Sequence, residues 1–275
     1  MAAHPSSFRP KALFFDVFGT TVNWRKTVTQ ALKDDATATL ADPSSSLPSV
    51  TRLHASTIDW PSFAQSWRDS YGKFTQSYSR GSGVPFKTID EHHHDSLVEL
   101  LAANGLADLW PPEKVQELSR IWHYLEPWTD TVGALSAMND LGLQTCTLSN
   151  GNISLLSDMA AFARLPWTHL FSAELFGAYK PSPEVYKGAV AKLGLKEEEC
   201  AMVAAHLGDL KAAKSCGLKT IYVEREKEEA WSQEQIHTAK KEGWVDIWVN
   251  LGEGEVGKQG FWEVIRRLDG EATEA

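Results

Sequence analysis

Lys11-Ala-Leu-Phe-Phe-Asp16-Val-Phe-Gly-Thr20-Thr-Val-Asn-Trp24 is the stretch from which the fold can be read. The apolar run Ala12 to Phe15 is long enough for a buried parallel strand. It delivers a single acid, Asp16, to the point where Gly19 lets the backbone turn away. A carboxylate placed there sits at the carboxyl end of a strand, the edge where open α/β sheets bind their ligands. Taken alone, the stretch leaves two readings open: Asp16 is a nucleophile, or it forms a turn, since Asp before Gly is common in loops.

Downstream, Arg25 to Leu40 reads as a helix, and the Pro- and Ser-rich segment from Ala41 to Ser49 reads as an exposed loop. Helical patterns resume at Trp60. Phe63, Trp67, Tyr71, Phe74 and Tyr78 recur at spacings of three and four, which places them on one helical face. Ile89 to Asn104 and Pro112 to Trp122 also read as helices, so residues 25 to 125 make a helical block without a good strand.

From there strand and helix alternate. Strands are expected at Leu143 to Gly151, Leu170 to Ala173, Cys200 to His206, Lys219 to Glu224 and Asp246 to Asn250. Helices are expected at Val132 to Leu141, Ile153 to Arg164, Pro183 to Leu193, Asp209 to Cys216 and Phe261 to Leu268. Alternation of this kind implies right-handed crossovers and a mostly parallel sheet, to which the first strand belongs. The helical block then becomes an insertion after Asp16, placed to cover the ligand edge as a lid. The charged stretch Glu224 to Glu229 reads as a solvated helix start.

The totals narrow the function classes. A chain of 275 residues with 43% hydrophobic content can bury a sizeable core. No run approaches the roughly 18 apolar residues of a spanning helix, and the N-terminus lacks the pattern of a signal peptide, so no membrane partner and a cytoplasmic location are expected. Cys146, Cys200 and Cys216 lack C-x-x-C spacing and fit buried reduced thiols. A formal charge of −9 argues against nucleic acid and in favour of a small-molecule ligand. The eleven tryptophans are scattered and read mostly as packing.

Reactive side chains fall at or just after successive strand ends. Asp16 ends the first strand, Ser149-Asn150 the second, Lys180 follows the third, and His206 with Asp209 ends the fourth. In this ordered set the chain resembles the haloacid dehalogenase superfamily. Asp16-Val-Phe-Gly-Thr20, Leu148-Ser-Asn-Gly-Asn152, Tyr179-Lys-Pro-Ser-Pro-Glu-Val-Tyr186 and Val203-Ala-Ala-His-Leu-Gly-Asp209 are similar to its L-2-haloacid dehalogenase (type II) branch. The resemblance implies an α/β, Rossmann-like core with a mostly parallel sheet flanked by helices, over residues 8–24 and 128–275. A small all-helical cap domain, residues 25–127, is inserted after the first strand.

Phe18, two places after Asp16, separates the branches. Phosphatases of the superfamily carry there a second Asp that protonates the leaving oxygen. A departing halide needs no proton, whereas an alkoxide would lose a general-acid contribution of ~10²–10⁴-fold. The implied reaction is hydrolysis of small L-2-haloacids to 2-hydroxy acids, with inversion, by attack of Asp16 and an aspartyl-ester intermediate. The resemblance gives Lys180 the part of counterion to Asp16. Tyr186 matches a position that hydrogen-bonds within the site, and Thr20 one near the nucleophile. Ser149 would donate to the substrate carboxylate, and Asn150 would help receive the halide. Arg68 resembles a lid arginine that binds the leaving halide, a task suited to a permanent, weakly hydrated cation; Arg25 is its rival.

The fourth motif departs from the best-known pattern, with Ala204 and His206 where some members have Ser and Asn. His206 is therefore expected to handle the hydrolytic water, with Asp209 orienting it or activating water itself. No metal or other cofactor is expected. Glu91-His-His-His-Asp95 reads as a solvated helix face, because adjacent imidazoles point in different directions and cannot converge on one ion. The expected partners are a 2-haloacid and halide, with a homodimer possible for the family. Two other readings compete: a magnesium-dependent phosphatase working through an aspartyl phosphate, and a catalytically silent binding protein.

Overall fold

The computed structural model describes residues 9–78 and 86–269. Its chain order is β1 (Ala12–Phe15), α1 (Trp24–Ala41), α2 (Ser49–Thr57), α3 (Trp60–Ser77), α4 (Ile89–Ala103) and α5 (Pro112–Ser119). After a 3-10 turn at Arg120–His123 come α6 (Thr131–Asp140), β2 (Gln144–Ser149), α7 (Ile153–Ala163), β3 (His169–Ser172), α8 (Pro183–Leu193), β4 (Cys200–Ala204) and α9 (Leu207–Ser215). The chain closes with β5 (Lys219–Val223), α10 (Gln233–Glu242), β6 (Ile247–Val249) and α11 (Phe261–Leu268).

The six strands form one parallel sheet in the order β3-β2-β1-β4-β5-β6. β1 lies between β2 and β4, buried on both faces, which is why it reads as an unbroken apolar run. Each of Leu13, Phe14 and Phe15, fully enclosed, contributes about 2 kcal/mol of burial free energy. This strand order reverses direction between β1 and β4, and at such a switch point the carboxyl edge opens a crevice. Asp16 stands there, its N–H donating to the Val203 carbonyl at 3.0 Å.

Between β1 and α6 the described chain is helical, and the two ends of this segment lie side by side. The N–H of Asn23 donates to the Glu126 carbonyl at 2.8 Å, and Trp128 N–H to the Thr21 carbonyl at 3.1 Å. Five helices can therefore leave the sheet and return without disturbing β1. Their interior is aromatic: Trp24 stacks on Trp122 at 5.8 Å, and Trp67 meets Trp122 edge-on at 5.3 Å. For these three the packing reading holds.

Three local readings are corrected. α2 was not expected, because Pro48, on which it starts, sits in a run of Ser and Pro; it buries Thr51 and Ala55. Glu224 to Glu229 is a turn-rich loop and no helix start; the helix, α10, begins at Gln233 behind a capping box of Ser232 and Gln235. His92 and His93 are buried, not solvated. His92 stacks on Phe74 at 4.5 Å and His93 on Trp122 at 4.5 Å, with burial pushing His92 down to about 4 and His93 well below the imidazole range. The i, i+4 logic that exposes one side of a helix fails on α4 because α3 and the Trp122 turn cover it from two sides.

His123 ties the helical segment to the sheet domain. Fully buried, it bonds Asp90 of α4 through Nε2 at 3.0 Å and Asp158 of α7 through Nδ1 at 2.8 Å. Burial alone would lower its pKa, but the two carboxylates outweigh burial and raise it. A raised folded pKa stabilises below the unfolded value of about 6.5, and that contribution fades as pH rises through the folded value. His123→Gln is therefore expected to cost about 2 kcal/mol at pH 6 and progressively less at alkaline pH. Urea unfolding at several pH values checks this; a pH-independent cost would contradict a charged latch.

Candidate active site

Four strand ends bring the reactive groups together at the switch point. Asp16 is 7% exposed. Its Oδ1 accepts from Lys180 Nζ at 2.9 Å and its Oδ2 from Thr20 Oγ1 at 2.8 Å. Thr20 Oγ1 in turn accepts from the Ala205 N–H at 2.9 Å, so the loop after β4 fixes the hydroxyl that orients the carboxylate. Gly19 makes the turn possible: its φ is +87°, and a Cβ there would drive into the Glu228 carboxylate. Arg225 braces the same turn from the β5 side, donating to the Thr20 carbonyl at 3.0 Å and gripping Asp130 with both terminal nitrogens at 2.9 Å.

Lys180 Nζ also donates to Asp209 Oδ2 at 2.6 Å, and Tyr186 donates its hydroxyl proton to Asp209 Oδ1. The ammonium thus bridges the buried Asp16 and the partly buried Asp209. Burial alone would raise the Asp16 pKa, but the charges of Lys180 and His206 and the hydrogen bonds hold it below the carboxylate range. Burial would lower Lys180, and its two acidic partners raise it instead. Tyr186 is pushed well up, mainly by burial and then by Asp209, so it stays a neutral donor. Lys180 Nζ stands between the Asp16 and Asp209 carboxylates, and among the described residues no group of three or more His, Cys, Asp or Glu side chains is placed to hold a metal ion.

Asn150 is spent on Lys180. Its Oδ1 accepts from the Lys180 N–H at 2.7 Å, and its Nδ2 donates to the Lys180 carbonyl at 3.3 Å. These two bonds clamp the lysine loop. Ser149 is fully buried at the end of β2, where its Oγ accepts from the Gly151 N–H at 3.2 Å. His206 lies between β4 and α9, its Nε2 3.9 Å from Asp16 Oδ2 and its Nδ1 buried without a partner. Asp209, bound to Lys180 and Tyr186, makes no side-chain hydrogen bond to the imidazole, so nothing in the geometry has it orienting His206.

Phe18 is buried, edge-on to Tyr71 at 5.9 Å and to Trp122 at 6.0 Å. The Arg68 guanidinium lies over this aromatic floor, 5.4 Å from the Phe18 ring and 4.4 Å from that of Tyr71. Arg25 is engaged elsewhere: it stacks on Trp24 at 4.4 Å and binds Gln65, the Lys227 carbonyl and, at 3.7 Å, Glu228. A cleft of about 550 Å³ runs between α3 and the loop after β5, lined among others by Arg68, Tyr71, His206, Glu228 and Trp231.

Sequence reasoning missed Glu228. Its side chain is 5% exposed, its Oε2 accepts from Trp24 Nε1 at 3.0 Å, and burial raises its pKa. The residues after β5 obey the same strand-end rule as those after β1 to β4, but a run of charges masked the signal.

The comparisons with known proteins agree with this geometry. The family model described as haloacid dehalogenase-like hydrolase matches residues 10–217. (S)-2-haloacid dehalogenase 1 of Pseudomonas sp. (strain CBS-3) is 30% identical over 106 residues, 38% of this chain and 47% of that enzyme, so the match spans about half of the relative's length. The solved structure of a defluorinating L-2-haloacid dehalogenase is 28% identical with a TM-score of 0.76, covering 96% of this chain and 98% of that one. A second L-2-haloacid dehalogenase structure is 31% identical with a TM-score of 0.69, covering 87% of this chain and 95% of that one. The chain belongs to the haloacid dehalogenase-like hydrolase family, within its L-2-haloacid dehalogenase branch.

Proposed function

We propose that the protein hydrolyses small L-2-haloacids to 2-hydroxy acids with inversion at C2, through an ester on Asp16. The observation that carries this reading is Phe18: two residues beyond the nucleophile stands an aromatic ring that can protonate nothing. Halide is the leaving group that needs no proton. Asp16 attacks the halogen-bearing carbon from the back, and Lys180 keeps it ionised at neutral pH. Thr20 orients it. Ser149 takes the substrate carboxylate, and Arg68 receives the halide across the Phe18 ring. Asp209, Tyr186 and Asn150 hold Lys180 in place. His206 draws a proton from the water that opens the ester. Residues 25–127 act as the cap, bringing Arg68 over the strand edge and shielding the charged pair from solvent.

Chloride release from L-2-chloropropionate without added metal, set against phosphate release from a generic ester with magnesium, tests the assignment; phosphate alone would overturn it. His206→Asn is expected to leave the single-turnover burst of chloride nearly intact while slowing ester hydrolysis by about 10²-fold or more. Rapid-quench kinetics separates the two steps, and equal loss in both would remove His206 from the water.

A further inference from the structure

Tyr71 has no part in the roles assigned above, yet it stands beside the guanidinium that does. Arg68 and Tyr71 are three residues apart on α3 and so share a face, which looks onto Phe18. The guanidinium lies over the Tyr71 ring, 4.4 Å from its centre. The ring is held from two sides, edge-on to Phe18 at 5.9 Å and stacked on the buried His93 at 6.2 Å. Only 9% of the residue is exposed, and it lines the cleft that also reaches Arg68 and His206. The ring is thus fixed next to Arg68 in the cleft wall, and its hydroxyl is a neutral donor there. Burial pushes its pKa up, which keeps the proton on the phenol.

We propose that Tyr71 is a specificity-determining residue: its hydroxyl and the Arg68 guanidinium together receive the departing halide, and this pair of donors favours fluorinated substrates. The proposal rests on the dehalogenase reading and on Arg68 as the halide arginine. In the step concerned, an Asp16 oxygen forms a bond to C2 while the carbon–halogen bond breaks, and the electron pair leaves with the halogen as X⁻. Tyr71 donates a hydrogen bond to X⁻ and keeps its proton, so charge and atoms balance. Fluoride is the smallest and most charge-dense halide, and carbon–fluorine cleavage depends most on donors that strengthen as charge develops. Bromide is diffuse and leaves readily without them.

The test compares L-2-fluoropropionate with L-2-bromopropionate in wild type and Tyr71→Phe, with Tyr71→Leu as the second variant should Tyr71→Phe fail to fold. Fluoride release is expected to fall by about 10- to 100-fold, the worth of one hydrogen bond to a charged group, while bromide release changes little. An equal fall for both halides, or no fall for fluoride, overturns the proposal. A wild type that releases bromide and no fluoride overturns it too and leaves the dehalogenase assignment standing. A wild type that releases neither halide sinks the assignment and the proposal with it.

Discussion

Asp16→Asn is expected to abolish turnover, lowering halide release by about 10⁴-fold or more, as loss of a covalent nucleophile does. The amide is nearly isosteric and its oxygen can still accept from Lys180 Nζ, now at 2.9 Å from Asp16 Oδ1, so the fold should survive. What disappears is the anion that forms the ester. A chloride-sensitive electrode with L-2-chloropropionate gives the rate, and a melting curve close to wild type shows that the loss is chemical. Activity within tenfold of wild type would mean that some other group attacks carbon.

Lys180→Met is expected to damage both stability and chemistry, because the buried Asp16 and the partly buried Asp209 would lose the cation between them. Removing one partner of a buried ion pair costs about 3–5 kcal/mol. The sign of the pH effect follows from the cause. Burial raises the Asp16 pKa and Lys180 is the leading influence that lowers it, so without the ammonium Asp16 is protonated in a higher pH range. The acid limb of the halide-release profile should move to higher pH, and the rate at pH 7 should fall by about 10²–10³-fold. Stability should also become worse as pH rises and both acids are forced to ionise, the reverse of the wild-type behaviour of a depressed carboxylate. Urea unfolding and pH–rate profiles read the two effects; an unmoved acid limb would show that Lys180 does not set the charge of Asp16.

The strand at Ala12–Phe15 was legible because β1 is enclosed by two neighbours and by helices, and such a strand must be apolar at every position. The ordered acid, hydroxyl, lysine and acid were legible because parallel strands all deliver their last residues to one edge. The two helices that went unread, α2 and α10, are short and bury few side chains, Thr51 and Ala55 in α2 and Ala239 in α10, and only α10 carries a capping box. The clamp that Asn150 makes on the Lys180 backbone went unread for a different reason. The residue's position at the site could be read, but whether an amide faces a ligand or clamps a backbone depends on where the Lys180 loop returns, 30 residues later. His92 and His93 show the converse error. Adjacent polar residues suggested solvent, while the aromatic rings that bury them, Phe74 and Trp122, come from outside their own helix.

The central claim is that a carbon–halogen bond is broken by formation of an ester on Asp16. Acid-quenching the wild-type enzyme during a single turnover of L-2-chloropropionate, without metal, and mapping the digest by mass spectrometry tests it most directly. The account predicts that the peptide carrying Asp16 gains the mass of the substrate less hydrogen chloride, in step with chloride release. Chloride released with that peptide unmodified, or the added mass found on another residue, would contradict it.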